Sequence, residues 1–100
     1  MRPPSEELVG RTIIRQIEKG VLMSIGARDL DFLDNGVQFK VSNSTRRIVQ
    51  IKLNPLDLYD IVCKQMKSDW TWVMEHESSN VYVENLSETL LNIERTVWGK

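Results

Sequence analysis

Lys40, Arg46, Arg47 and Lys52 are four positive charges with no acidic residue among them, since none lies between Asp34 and Asp57. Basic side chains on a two-stranded ribbon can reach nucleic-acid phosphates, so these four are the candidate nucleic-acid contacts. Edge strands also carry lysine merely to block aggregation. Four charges in a chain of formal net charge −1 are a small footprint. Trp70, Trp72 and Trp98 form the second group. Tryptophan favours interface centres, so these three are the candidate interface residues, and Trp70 or Trp72 would stack on bases if exposed. Among the acids, Asp29, Asp31 and Asp34 lie close together but lack the spacing of a calcium loop and its distant glutamate. Asp57 and Asp60 flank Tyr59 with no nucleophile or oxyanion donor near them in sequence. His76 sits between Glu75 and Glu77, a setting that reads as a strand end. Cys63, with only that one distant histidine, reads as a small buried hydrophobe. No phosphate loop, dinucleotide fingerprint or nucleophile elbow is present. The expectation is a protein that is not an enzyme, with no cofactor and no metal.

The elements that must position these residues centre on Gly36 to Pro55. Val37, Phe39 and Val41 alternate with Gln38 and Lys40; Val49, Ile51 and Leu53 alternate with Gln50 and Lys52. Period-two alternation is that of a half-buried strand. The two runs flank the polar stretch Ser42 to Arg47 and predict an antiparallel hairpin. Asp34-Asn35-Gly36 is its entry turn, and Asn54-Pro55 ends it. Its apolar face needs a cover, which helices must supply. The spacing of Val9, Ile13, Ile14 and Ile17 predicts a first helix over roughly 5–19, with Ser5 as N-cap and Lys19-Gly20 as its end. Gly10 within it suggests a close approach to the sheet. Val21, Met23 and Ile25 read as a strand, and residues 27–35 as a polar connection with Leu30, Phe32 and Leu33 tucked inward. Residues 56–66 fit either period, and their β-branched and aromatic content favours strand. Trp70 to His76 alternates as a last strand. Ser78-Ser79-Asn80 would then open a closing helix carrying Val83, Leu86, Leu90, Ile93 and Val97.

One hundred residues with 41% hydrophobic and 27% charged content make one ordinary globular domain, residues 1–100. Residues 1–50 hold eight Lys/Arg against six Asp/Glu; residues 51–100 hold five against eight. A single cysteine forms no intrachain disulfide, and one Cys with one His makes no structural zinc site. No stretch approaches the ~20 apolar residues of a membrane span, and the N-terminus lacks a signal-peptide core. A reducing cytoplasm is the expected compartment.

The runs TIIRQIEKGVLMSIGARDL, GVQFKV, IVQIKLNPLDLYDI and NVYVENL together resemble a family of small phage- and mobile-element-encoded proteins. The family pattern is a helix, a strand ending in a Gly-Ala turn, a hairpin, an acid-aromatic pair and a closing helix. Gly26-Ala27, Ile51 to Asn54, Asp57, Tyr59 and Tyr82 carry the likeness, over about residues 12–95. The chain departs from the pattern at Gly20, where a second glycine is usual, and at Thr96 to Lys100. The resemblance implies a cytoplasmic accessory protein with an α+β sheet, favours the strand reading of 58–66, and supplies no catalytic residues.

The combined expectation is an α+β domain. A four- to five-stranded antiparallel sheet is covered by an N-terminal and a C-terminal helix. Its expected action is protein–protein interaction, with a host factor or by self-association, and nucleic-acid binding through the 36–54 hairpin is the alternative.

Overall fold

The computed structural model describes residues 4–41 and 46–98, with side chains from Leu8 onward. The first helix already includes Pro4, so Ser5 lies within it and not at its N-cap; the linker residues Ser42 to Thr45 lie outside the described residues. The central hairpin forms as its alternation dictates. Strands β2 (Gly36–Lys40) and β3 (Arg47–Leu53) pair antiparallel with Val37 opposite Ile51 and Phe39 opposite Val49. That register places every large apolar side chain of the pair except Ile48 on one face, and a one-residue slip would reverse it.

β1 (Arg28–Leu33) lies on one side of this hairpin; β4 (Tyr59–Met66) and β5 (Trp72–Val81) follow on the other. Sheet order equals chain order, so the five strands form an antiparallel meander with β1 and β5 as its edges. Helices α1 (Pro4–Gln16), α2 (Lys19–Ser24) and α3 (Leu86–Ile93) cover one face. Ile13, Ile17, Val21, Ile25, Leu86, Leu90 and Ile93, from the helices and the residues that follow them, join Val37, Phe39, Val49, Ile51, Ile61 and Cys63 from the sheet in one buried cluster. Each fully buried side chain of the Ile or Phe class contributes about 1.5–3 kcal/mol. Gly10 brings α1 hard against the sheet: a Cβ there would stand 2.5 Å from Phe32 Cδ1 and 2.6 Å from the Gly36 carbonyl oxygen. The Tyr59 hydroxyl donates to Gln16 Oε1, tying the start of β4 to the end of α1.

Four local expectations are corrected. Val21 to Ile25 is helix, not strand. Val21 and Ile25 are buried while Met23 is 82% exposed, the spacing of one helical turn; in a strand all three would share a face. The first helix accordingly stops at Gln16. Glu18 is extended, its N–H donates to Ser87 Oγ at 3.1 Å, and Lys19-Gly20 opens α2 rather than closing α1. Residues 28–33 are an edge strand, not a connection. Asp31 pairs with Gln38 and Phe32 with Val37, and a bulge at Asp29-Leu30 leaves Leu30 exposed. The closing helix begins later than expected, since β5 stays paired with β4 as far as Val81 opposite Tyr59. A short 3-10 turn (Val83–Asn85) leads into α3, and a π-helical turn (Glu94–Trp98) ends the described chain.

Candidate functional site

The second face of the sheet is covered by no described element. Residues paired directly across strands share a face, so the register gives its rows. Lys40, Ile48, Lys64 and Met74 form one; Gln38, Gln50, Val62 and Glu77 the next; Lys52 and Asp60 the last. At the other end Arg46, Met66 and Trp72 continue it, with the Arg46 carbonyl accepting from Met66 N–H at 2.8 Å. Ile48 is nonetheless buried, in a row whose neighbours are the long aliphatic stems of Lys40 and Lys64.

Trp70 sits at the tip of the β4–β5 turn. Lys67 N–H donates to the Thr71 carbonyl at 2.8 Å and Trp70 N–H to the Lys67 carbonyl at 2.9 Å. This is a three-residue hairpin loop whose third residue must be left-handed, a place glycine normally takes. Trp70 takes it with φ 68° and is 74% exposed. The Arg46 guanidinium lies 6.0 Å from the indole centroid. Asp69 accepts from the Thr71 hydroxyl at 2.6 Å and from the Thr71 N–H, and the Thr71 bonds hold the Asp69 carboxyl below the usual carboxylate range.

The two sheet edges differ. β1 is six residues long, broken by a bulge with Asp29 at φ 54°, and carries the exposed acids Asp29 and Asp31. Those are the features that blunt an edge. β5 is ten residues long and begins with Trp72, Val73 and Met74, all exposed. Three consecutive exposed apolar residues on a free edge invite another strand.

The four hairpin cations do not gather into one patch. Lys40 and Lys52 share the uncovered face but stand four residues apart along the ladder, roughly 13 Å. Lys40 pairs with Asp29 at 3.5 Å. Arg47 points to the helix side, where its Nε and Nη2 donate to Glu75 Oε2 at 3.2 and 3.0 Å; both side chains are mostly buried. Arg46 stands over Trp70. Lys64 and Lys67 were not singled out in the sequence, yet Lys64 lies in the uncovered face and Lys67 opens the Trp70 turn. The tryptophans divide as well. Trp70 and Trp72 stand at one end of β5, whereas Trp98 is 7% exposed and belongs to the core, so its place among the interface residues is corrected.

Cys63 and His76 are not distant: they are direct cross-strand partners. Burial first, and the Glu75 charge second, push the Cys63 thiol up to about 12, so it is a neutral thiol rather than a nucleophile at ordinary pH. His76 Nε2 bonds Ser78 Oγ at 2.8 Å. A shallow cleft of about 260 Å³ lies at the opposite end of the uncovered face, lined by polar side chains including Gln50, Lys52, Asp60 and Glu77. Asp60 there is taken up by Asn54 Nδ2 at 3.0 Å and by Asn80 N–H at 3.1 Å. A second, of about 450 Å³, lies between α3 and Glu18, with Glu84, Glu88 and Arg95 in its walls. Among the described residues no group of three His, Cys, Asp or Glu side chains is placed to hold a metal ion, and no helix is long and apolar enough to cross a membrane.

No family model matches the chain, and neither a curated protein nor a solved structure matched it.

Proposed function

We propose that this protein is a non-enzymatic protein-interaction module of the accessory type, working through the Trp70 turn and the leading half of β5. The observation that supports this most directly is the exposed run Trp72-Val73-Met74 on a free edge strand, beside a tryptophan held in a glycine conformation. An exposed aromatic with few rotatable bonds anchors a partner at low entropic cost. An extended segment added at the edge gains main-chain hydrogen bonds without rearranging the sheet. Affinity capture from host lysate tests it, comparing the wild type with Trp72→Lys and with Met23→Lys, a control on the exposed face of α2. Proteins retained by wild type and by Met23→Lys but lost with Trp72→Lys support the reading. Identical retention by all three overturns it.

A second reading is single-stranded nucleic-acid binding. Lys64 and Arg46 flank Trp72 and Met66 on the uncovered face, the combination of cations and a stacking ring that such sites use. Fluorescence-anisotropy titration of labelled oligonucleotides at two salt concentrations tests it. Binding that weakens with salt and is lost in Lys64→Glu supports it; no binding at low salt removes it.

A further inference from the structure

The direction of the backbone groups on β5 follows from its bonds to β4. Lys67 N–H points across the ladder to the Thr71 carbonyl at 2.8 Å, while the Lys67 carbonyl accepts from Trp70 N–H within the turn. Antiparallel pairs alternate between bonded and non-bonded, so Met66 opposite Trp72 is non-bonded, Gln65 opposite Val73 is bonded, and Lys64 opposite Met74 is non-bonded. Met66 confirms the phase independently, since its N–H is spent on the Arg46 carbonyl at 2.8 Å, towards β3. The N–H and C=O of Trp72 and Met74 therefore point out from the free edge, and those of Val73 point in.

We infer that the occupant of this edge is a second copy of the same chain, its β5 antiparallel to the first about a two-fold axis through Val73. In that register Trp72 of each copy lies opposite Met74 of the other. Both residues present outward N–H and C=O groups, so each pair exchanges two bonds. Val73 meets Val73 of the second copy at the axis as a non-bonded pair, which needs no outward groups from it. Trp72 and Met74 are two residues apart on the uncovered face, so the same pairing packs each indole against a thioether. Val73 meets its counterpart on the other face. Charge does not oppose it. Thr71 falls opposite Glu75, whose carboxylate is held by Arg47 of its own chain. Shifting the axis by one residue to Met74 would set Val73, whose backbone groups are spent on β4, against Glu75 in the bulge. A second copy brings both the backbone phase and the Trp72–Met74 side-chain match by symmetry. The bulge at Glu75 and the turn at Lys67 to Thr71 confine the ladder to five residues, so the dimer is weak and concentration-dependent.

This rests on the reading of β5 as an interaction edge, and two measurements on the full chain keep the two apart. Sedimentation equilibrium should show the mass rising towards twice the monomer mass with concentration. Val73→Lys, which sets two like charges on the axis at a residue already 41% exposed, should abolish the rise while leaving the circular-dichroism spectrum unchanged. Val73→Cys should form a disulfide-linked dimer on mild oxidation, because a non-bonded pair brings Cβ atoms to about 4.5–5.5 Å, within reach of a disulfide after small adjustment. Met23→Cys, on α2, should link far more slowly, and the native Cys63 is buried and takes no part. A mass that stays monomeric at the highest concentration, a dimer indifferent to Val73→Lys, or equal linking at residues 73 and 23 overturns the inference. A monomer that still captures a host protein through Trp72 overturns the second copy alone and leaves the interaction edge standing.

Discussion

The turns at the two ends of β4 are built on one hydrogen-bond scheme and filled in opposite ways. In the β3–β4 turn Asn54 N–H donates to the Leu58 carbonyl at 2.8 Å, Asp57 N–H to the Asn54 carbonyl at 3.0 Å, and Asp57 is left-handed at φ 60°. The β4–β5 turn repeats this with Lys67, Thr71 and Trp70. In the first turn every residue suits its place. Pro55 supplies the fixed φ of the second position, Asp57 tolerates the left-handed one, and Asn54 Oδ1 accepts from the N–H of Leu56 and of Leu58 at 2.9 and 3.1 Å. Asn54 Nδ2 also reaches Asp60 and Asn80. In the second turn a bulky aromatic holds the glycine place and shows most of its surface to solvent. The turn explains the first set of residues. It does not explain Trp70, and that is the physical ground for looking there for a partner.

If the β4–β5 end is otherwise soundly built, its strain is confined to Trp70 and its ion pair should matter to stability. Arg47→Ala should then give the largest loss, about 3 kcal/mol. It strands the mostly buried Glu75 carboxylate, whose Oε1 already finds no partner among the described residues. Chemical denaturation checks this, and the Arg47→Ala/Glu75→Gln double variant should recover part of the loss. Asn54→Ala should cost about 2 kcal/mol by the same assay, since it deprives two turn N–H groups and Asp60 of their partner. A smaller effect at Asn54 than at any residue of the tip would reverse the contrast between the two ends.

β4 joins the two turns, and Cys63 in its middle reports on the packing between them. Its thiol stands at about 12 in the folded chain against an ordinary value near 9, through burial and then Glu75. A raised folded value means that the stabilisation is complete below pH 9 and is lost as pH rises from there towards 12, because the unfolded chain ionises first. One unit of pH above the unfolded value corresponds to about 1.4 kcal/mol. Denaturation midpoints should therefore fall faster between pH 9 and 11 for the wild type than for Cys63→Val.

What the sequence disclosed follows from how many constraints each element answers to. β2 and β3 are central strands with one covered face, so burial wrote their alternation into Val37 to Val41 and Val49 to Leu53. β1 answers to one ladder only, and its bulge breaks the period, so Arg28 to Leu33 looked like a loop. Val21-Met23-Ile25 satisfies periods of two and four at once within five residues, too short a stretch for either period to decide. Ser78 to Asn80 looked like a helix entrance because polar residues suit an edge strand as well as a cap. The candidate surface was half legible. Trp70 and Trp72 were visible as unusual residues, but Trp98 needed the fold to show it in the core. Arg46 and Arg47, adjacent in sequence, go to opposite sides of the sheet, which no count of charges reveals. The outward direction of the Trp72 and Met74 backbone depends on the phase of pairing with β4, and that phase is set by the turn at Lys67.

The smallest effect discriminates most between the two turns. Replacing a left-handed non-glycine residue by glycine removes about 1 kcal/mol of backbone strain and returns part of it as unfolded-chain entropy. Asp57→Gly should therefore change stability by less than about 0.5 kcal/mol, since aspartate tolerates that conformation. Trp70→Gly should raise it by up to about 1 kcal/mol, because the ring at the tip is solvent-facing and its contact with Arg46 is long and weak. A higher melting temperature for Trp70→Gly, together with weaker dimerisation or partner capture, would mark the tryptophan as kept for contact at the expense of stability. A lower melting temperature would mean that the indole is held by the fold after all, through Arg46, and that the tip is structure like the turn at the other end of β4.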